Sequence, residues 1–461
     1  MDVLQVRTLP FLARRNYFYE MQHMMAWSVL AGLVEGQFAS VVVAKTFHAS
    51  ELLLAISTAT PTAANLVSLV WGMLCVGRPK IALASLFAAG TALCAATAGA
   101  VPTNSWGCVW FIVQLAAAQV LLAGTVTVRS AIWKANYPQS DRGRITARIQ
   151  GVRFVIAAGS MLLAAWLCDR HPSSYRIVFP TAGLFGLVSI LSLSRIHIRH
   201  ERRQLGRIGT DVVDADSSGR QLPPYSLTTL ISPGKVFGQM FRVLRNDRRY
   251  LQYCYAQICN GMSNLLTISI VVAVVTRDLV PDDARGFWIS VVLVEVLPKT
   301  VMLGSLRRWG QVFDRLGVLG MRELNLGCWT VSILFGMFGD LMTPSSESIA
   351  PTAFLLGVLF FTLRAIAMGL GQGGGALGWN IGHLHFASGD EAEVYMGIHV
   401  FFTGVRGLVA PLGGMWLWRT MGWPVWLVAV GFSVASFWIY SSMARAEVNE
   451  SKVLLDQERV L

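Results

Sequence analysis

Apolar residues along this chain are gathered into long runs, and polar residues lie mostly in the short connections between them. An apolar run of about 18 residues crosses the hydrocarbon core of a bilayer as a helix, which also satisfies its own backbone donors and acceptors. The pattern therefore predicts an all-α polytopic membrane protein with twelve transmembrane helices. The twelve runs are residues 21–44, 51–73, 81–100, 106–133, 149–167, 177–194, 250–275, 287–305, 323–339, 350–379, 394–417 and 424–443.

The longest connection lies between the sixth and seventh runs and is polar, charged and rich in Gly, Ser and Pro. Such a segment cannot bury enough apolar surface to fold alone. It therefore divides the chain into two bundles of six helices each. The predicted boundaries are an N-tail at 1–20, a first bundle at 21–194, a linker at 195–249, a second bundle at 250–443 and a C-tail at 444–461.

Composition and charge fit this topology. The chain is 54% hydrophobic and only 14% charged, with a mean hydropathy of +0.52, far more apolar than a soluble domain. With a cytoplasmic N-terminus, the cytoplasmic connections and both tails hold 27 of the 38 Lys and Arg residues, and the opposite connections hold 6. Because positive residues are retained in the cytoplasm, both termini are predicted there, in a chain of the inner or plasma membrane. The net charge of +12 then matches anionic lipid surfaces, and no nucleic-acid partner is expected.

No metal, cofactor or catalytic site is predicted. The seven cysteines lie in or beside apolar runs without a CxxC pair, so neither a disulfide framework nor a zinc site is suggested. A metal-responsive loop at His383 and His385, with Asp390, Glu391 and Glu393, stays open beside an ordinary solvated loop. The chain holds no HExxH, GxSxG or P-loop sequence, so neither a hydrolase nor an ATP-driven pump is favoured.

A small charged turn, GQVFDRLG, follows the eighth run. Through Gly310, Asp314, Arg315 and Gly317 it resembles the signature turn of the major facilitator superfamily of membrane transporters. The glycines permit a tight connection. The Asp can meet the positive end of a helix or an arginine, which makes a latch that breaks when helices move. The turn is thus a candidate cytoplasmic gate, and the alternative is an ordinary solvated hairpin.

Other segments resemble the same superfamily. The counterpart turn after the second run, GMLCVGRPK, carries Val76 where the family has Asp. In the tenth run Arg364 precedes Gly369 by five residues, which is similar to the family's fourth span. The eleventh run holds GLVAPLGG, similar to the antiporter signature of the fifth span, but the fifth run here lacks a proline, so antiport is not supported. Trp133 and Trp379 lie 246 residues apart and the two turns 238 apart, as two parallel six-helix repeats would give.

Charged residues inside the apolar runs are costly and usually mark function or pairing. Glu295 and Lys299 are four residues apart, so they can pair on one helical face; coupling and contact with Arg406 are the alternatives. Glu35 lies between Gly32 and Gly36, which let another helix come close. Its open roles are proton carrier, buried packing residue and partner of Arg364.

The resemblance implies that spans one, four, seven and ten line a central cavity. Those runs offer an amphipathic set of side chains: Glu35, Gln37, Gln114, Gln119, Tyr253, Gln257, Asn260, Asn264, Arg364 and Gln372. This set suits a small, partly polar organic solute, and Arg364 can bind a carboxylate through two hydrogen bonds. Each amide taken singly can equally bridge two helices. The glycines at 369–378 indicate close helix packing or a flexible break.

The sequence as a whole favours a secondary transporter that works by alternating access, with a small-molecule solute, a proton and membrane lipid as partners. The chain is expected to act as a monomer, without cofactor and not as an enzyme. The alternative from another class is a transport-inactive membrane sensor or scaffold of the same superfamily, because the Asp is missing from the first turn.

Overall fold

The computed structural model describes residues 11–75, 78–198, 201, 233–280, 286–343, 351–386 and 392–460. Every regular element within these ranges is helical. The helices are α1 (Phe11–Val34), α2 (Phe38–Lys45), α3 (Glu51–Ala63), α4 (Ser68–Cys75), α5 (Lys80–Ala98), α6 (Ser105–Asn136), α7 (Gln139–Arg170), α8 (Tyr175–Leu193), α9 (Pro233–Asn246), α10 (Arg248–Leu265), α11 (Ile268–Ala273), α12 (Gly286–Val291), α13 (Leu297–Met342), α14 (Pro351–Ile381), α15 (Ala392–Met421) and α16 (Val425–Val460). The predicted all-helical fold is confirmed.

Within the described ranges, nine helices are long and apolar enough to cross a membrane, and the bent pair α1 and α2 makes a tenth. The longest of the nine, Gly286–Met342, contains the non-helical residue Gly317 and therefore holds two consecutive helices. The second predicted span is divided into α3 and α4 by a 3₁₀ turn at Ala64–Val67. These interruptions explain why the structure shows nine or ten long apolar helices where the sequence predicts twelve spans. The arrangement is consistent with twelve.

The chain forms two compact units. The first contains Met1–Ala49 and Ala64–Phe237, and the second contains Ser50–Ala63 and Gly238–Leu461. In the second unit α3 packs on α15, where a Cβ on Gly407 would lie 2.5 Å from Thr62 Cγ2. The order of the apolar runs predicts this segment in the first bundle, so the division differs there. The remaining predicted bundle boundaries stay a prediction, and most of the linker lies outside the described residues.

Glycines let α14 approach its neighbours closely. A Cβ on Gly371 would lie 2.9 Å from the Trp329 ring, and one on Gly373 would lie 2.3 Å from Ser305 Oγ. Because α14 is helical throughout Pro351–Ile381, these glycines serve close packing and do not break the helix. Of the two possibilities that the sequence leaves open, the structure shows the first.

The charged turn after the eighth run is made by a single residue. Gly317 has φ 68° and ψ −171°, a region of backbone conformation that is essentially restricted to glycine. Gly310 is helical and has no atom within 4 Å of the position of a Cβ. The helix therefore continues through Gly310 and ends at Gly317, and the turn is shorter than the eight-residue motif suggests.

This difference between the two glycines is testable. A Gly317→Ala variant is expected to lose roughly 1–3 kcal/mol of stability, because the side chain strains the backbone. Gly310→Ala is the matched control within the same motif, and is expected to gain about 0.5–1 kcal/mol because alanine favours the helix. Thermal unfolding of the purified protein in detergent measures both. Equal shifts for the two variants would contradict the assignment of the turn to Gly317.

Candidate functional site

The first predicted span is broken beside its acidic residue. Helix α1 ends at Val34, α2 begins at Phe38, and the two are bent by 43°. The carbonyl of Val34 lies at the end of a helix, where an acceptor loses its helical donor, and Gln119 Nε2 on α6 donates to it at 3.0 Å. Gln37 lies at the start of α2, and its Oε1 accepts from Ser40 Oγ at 3.0 Å. Gln119 thus acts as a helix-bridging amide, and its Oε1 has no described partner.

Glu35 forms an ion pair with Arg153 of α7. Helices α1 and α7 touch at Gly32, where a Cβ would lie 2.7 Å from the carbonyl oxygen of Ala157. One helical turn further, this contact sets Glu35 beside Arg153, whose Nη1 also donates to Gln150 Oε1 at 2.9 Å. Pairing with Arg364 is one of the roles that the sequence leaves open for Glu35. The observed partner is instead Arg153, which the spacing along the chain does not indicate.

A second buried carboxylate in the first unit was missed by sequence reasoning. Glu20 is 2% exposed and accepts hydrogen bonds from Trp133 Nε1 and Tyr137 Oη. Arg129 lies within electrostatic range of it. The prediction assigned residues 1–20 to a tail, whereas α1 begins at Phe11. The signal was the helical spacing of apolar residues at Ala13, Tyr17, Met21 and Met24, all of which are buried.

In the second unit, Arg364 is buried near the middle of α14 and is 5% exposed. Its backbone carbonyl accepts from Ser332 Oγ at 3.1 Å. Its guanidinium has no hydrogen-bond or acidic partner among the described residues. Gln372 lies two turns further along the same face of α14, and its Oε1 is also buried without a described partner. Helix α14 therefore presents a buried cation and an amide that the described part of the chain does not satisfy.

Glu295 and Lys299 form an ion pair within one helical segment. Glu295 lies in a π turn, Val292–Val296, that leads directly into α13. The carboxylate is the more buried of the two side chains, at 8% exposure against 28% for the lysine. Of the roles left open by the sequence, the structure therefore shows the pairing within the helix.

Three other predicted residues cluster around α10. Arg406 of α15 donates to the backbone carbonyl of Gln257, and its Nη2 donates to Thr403 Oγ1 at 3.0 Å. Asn260 lies one turn along α10, and its Oδ1 is buried without a described partner. The contact expected between Arg406 and the pair of Glu295 and Lys299 is not among these hydrogen bonds.

The remaining candidates lie on the surface. Asp314 and Arg315 are exposed, and neither forms an ion pair with a residue in the described part of the chain. His385 Nε2 lies 2.8 Å from Glu447 Oε1, and no group of three or more possible metal ligands is found among the described residues. Asp390 and Glu391 of the suggested metal loop lie outside those residues. Their role and the gate at Asp314 stay predictions.

Two pairs of predicted residues are in contact, Glu295 with Lys299 and Gln257 with Arg406. Glu35 pairs instead with Arg153, and Gln119 donates to the Val34 carbonyl beside the break that precedes Gln37. Gln372 and Asn260 retain buried side-chain oxygen atoms without a described partner, and the Arg364 guanidinium has no acidic partner among the described residues. Interrupted spans with buried polar groups at mid-helix define a multi-pass membrane protein of the transporter class.

The family assignment agrees with that class. The sequence profile of the Major Facilitator Superfamily matches residues 21–411, so the chain belongs to the major facilitator superfamily. No curated protein matches the chain significantly by sequence. The resemblance seen in the charged turn and the repeated halves is thereby confirmed at the level of the family.

Solved transporters share the fold at low sequence identity. A mutant of the nucleoside transporter NupG is 12% identical with a TM-score of 0.62, over 93% of this chain and 99% of that one. A mutant of the peptide transporter POT in complex with sulfate is 11% identical with a TM-score of 0.66, over 96% and 99%. A POT family transporter in complex with 5-aminolevulinic acid is 9% identical with a TM-score of 0.63, over 95% and 98%. At these identities the similarity establishes the fold alone.

Proposed function

We propose that this chain is a secondary transporter that moves a small, partly polar organic solute by alternating access. The observation that carries the proposal is the guanidinium of Arg364, which is buried at mid-helix without a described partner. An isolated charge in such a place is costly, so a role in binding explains why the chain retains it. A transporter has more than one conformational state, and binding of its solute shifts the equilibrium between these states.

The side chains favour an organic acid or another solute with an anionic group. A guanidinium binds a carboxylate through two parallel hydrogen bonds. The partnerless amide oxygen of Gln372, on the same helix as Arg364, can accept a hydrogen bond from a hydroxyl or amino group of the same solute class. Structures with the same fold include a nucleoside transporter and a POT family transporter with 5-aminolevulinic acid. Nucleosides and 5-aminolevulinic acid are both small polar organic molecules.

Coupling to protons is proposed for the pair of Glu35 and Arg153. The pair lies beside the bend between α1 and α2. Protonation of the carboxyl group removes its attraction for the guanidinium, so a proton bound at Glu35 would release Arg153. The ion pair is adjacent to the bend between α1 and α2. Breaking the pair would therefore allow the helices at this bend to change position.

The placement of the chain is part of the proposal. The excess of Lys and Arg in alternate connections supports cytoplasmic termini and insertion in the inner or plasma membrane. The same charges favour contact with anionic lipid headgroups. A monomer is the proposed functional unit, because one chain of this superfamily carries both repeats.

Flux measurements test the proposal against a sensor or scaffold. The purified protein is first screened by thermal shift against classes of metabolites. The solutes that stabilise it are then offered, radiolabelled, to proteoliposomes with and without a pH gradient. A transporter is expected to accumulate an organic anion in a protein-dependent way, and faster with the gradient if protons drive it. Stabilisation by a solute without any flux would support the sensor and contradict the transporter.

A further inference from the structure

The second unit contains a group of buried basic side chains, which we call the cationic cluster. It consists of Arg322, Arg406, His383 and His399, which are 2%, 8%, 6% and 3% exposed. Arg322, Arg406 and His383 all lie within electrostatic range of His399. Burial lowers the pKa of His383, so that ring is neutral at pH 7 and contributes polar nitrogen atoms to the cluster without a charge. The two guanidiniums supply the positive charge.

Both guanidiniums meet at Gln257. With the Gln257 amide oriented so that its oxygen faces Arg322, that oxygen accepts from Arg322 Nη2 at 2.5 Å and from Tyr253 Oη at 2.9 Å. Arg406 donates to the backbone carbonyl of the same residue. Two glycines make room for them, because a Cβ on Gly378 would lie 2.4 Å from Arg322 Nε and one on Gly261 would lie 2.3 Å from Arg406 Nε. The chain is therefore shaped to hold both arginines.

The cluster has no described carboxylate to balance it. The hydrogen-bond partners of the two guanidiniums are amide, carbonyl and hydroxyl groups, all neutral. Arg406 Nε, His399 Nε2 and His383 Nδ1 are buried without a described partner. Asp247, an acidic residue near α10, already accepts from Tyr250 N and Tyr395 Oη. Two buried positive charges without a counter-ion are strongly unfavourable, so a negative group bound beside them would stabilise the described part of this unit.

The first unit contains a comparable cluster that includes a carboxylate. Glu20 is the tenth residue of α1 and Gln257 is the tenth residue of α10. Glu20 accepts from Tyr137 Oη with Arg129 nearby. Gln257 likewise meets a tyrosine hydroxyl and an arginine, but it carries an amide in place of the carboxylate. The first unit supplies its own carboxylate at this point, and the described residues of the second unit do not.

We propose that the cationic cluster binds one phosphate-type oxyanion. A dianion balances the two guanidiniums, and Arg406 Nε, which has no described partner, is a donor for it. The partnerless histidine nitrogens add further donors when they carry the proton. Gly378, which faces Arg322, lies fourteen residues beyond Arg364 on α14, or about 21 Å along a helix. The site is therefore separate from Arg364, and the inference does not depend on which solute is transported.

Equilibrium binding of inorganic phosphate to the purified full-length protein tests the site. Radiolabelled phosphate is expected to bind at one site per chain, and Arg322→Gln and Arg406→Gln are each expected to weaken it at least tenfold. Arg445→Gln removes the same charge from an exposed position in the same unit and is expected to leave binding unchanged. Equal loss in all three variants would indicate non-specific attraction and would overturn the proposal.

A Gln257→Glu variant provides an independent measurement that does not rely on weakening the fold. It places a carboxylate at the position from which Gln257 contacts Arg322 and Tyr253. We expect it to unfold at a higher temperature than the wild type in phosphate-free buffer and to lose phosphate binding. A lower unfolding temperature would mean that the cluster is already neutralised, and would count against an anion site.

Two further arms identify the source of the negative charge. Native mass spectrometry of the wild type and of Arg322→Gln detects any phospholipid that is retained through purification. A phospholipid held by the wild type and lost in the variant assigns the phosphate to a lipid headgroup, whereas binding of free phosphate without retained lipid assigns it to a soluble anion. If neither binds, or if binding appears only when Asp390, Glu391 and Glu393 are replaced by their amides, the chain's own acids fill the role and the proposal fails.

Discussion

A Glu35→Gln variant is expected to unfold at a clearly lower temperature than the wild type. The substitution leaves the guanidinium of Arg153 without its counter-ion, and Arg153 Nε already lacks a described partner. Removing one partner of a fully buried pair costs about 3–5 kcal/mol, and because each of these side chains is 22% exposed we expect about 2–3 kcal/mol here. Thermal or denaturant unfolding in detergent measures the loss.

The double variant Glu35→Gln, Arg153→Gln is the matched control for this pair. It removes both charges, so its stability is expected to return most of the way to that of the wild type. Comparison of the wild type, the two single variants and the double variant isolates the interaction between Glu35 and Arg153. Gln150, which Arg153 also contacts, stays unchanged in all four proteins. If the two single substitutions added independently, the pair would contribute nothing and the assignment of Arg153 as the partner of Glu35 would be wrong.

The same double variant separates structure from coupling. If Glu35 carries the proton that drives uptake, the double variant is expected to fold and to exchange solute across proteoliposomes while losing acceleration by a pH gradient. A folded double variant that still responds fully to the gradient would remove Glu35 from the coupling mechanism. In that case the pair would be a structural contact between α1 and α7.

The membrane helices were predictable because lipid imposes one strong requirement on the chain. A span must be apolar and helical over its full length, and this pattern is local in sequence. The interruptions were not predictable in the same way. The bend after Val34 depends on Gln119, which lies 85 residues away and satisfies the freed carbonyl. Residues 11–20 fall in the predicted tail because Glu20 and Arg14 reduce the apolar content of this segment, which the structure shows as helix.

The same distinction applies to the candidate site: contacts within one helix were predictable, and contacts between distant helices were not. Glu295 and Lys299 were predictable as a pair because four residues of one helix fix their separation. Glu35 and Arg153 are 118 residues apart, and only the packing of Gly32 on Ala157 brings them together. The cationic cluster depends on α10, α13, α14 and α15 at once. Its members Arg322 and His399 are 77 residues apart in the sequence, so local patterns carry no sign that they meet.

Arg364→Gln is expected to have the largest effect on transport. If its guanidinium binds an anionic group of the solute, its removal costs about 2–4 kcal/mol of binding, or roughly a 30- to 1,000-fold loss of affinity. Arg364→Lys keeps the charge but loses the paired donors, and is expected to retain a minor part of the activity. Initial rates of uptake over a range of solute concentrations measure these losses. Arg307→Gln, which removes an exposed charge from the same unit, is the control and is expected to behave as the wild type.

The stability of the same variant decides between binding and structure. A guanidinium that is buried without a described partner destabilises the empty protein. Arg364→Gln is therefore expected to unfold at a higher temperature than the wild type when no solute is present, and to lose the further stabilisation that solute gives the wild type. A variant that is both less stable and less active would show that Arg364 supports the fold. Improved stability with lost transport is the combination that only a binding residue produces, because the wild type then retains a destabilising charge for the sake of its solute.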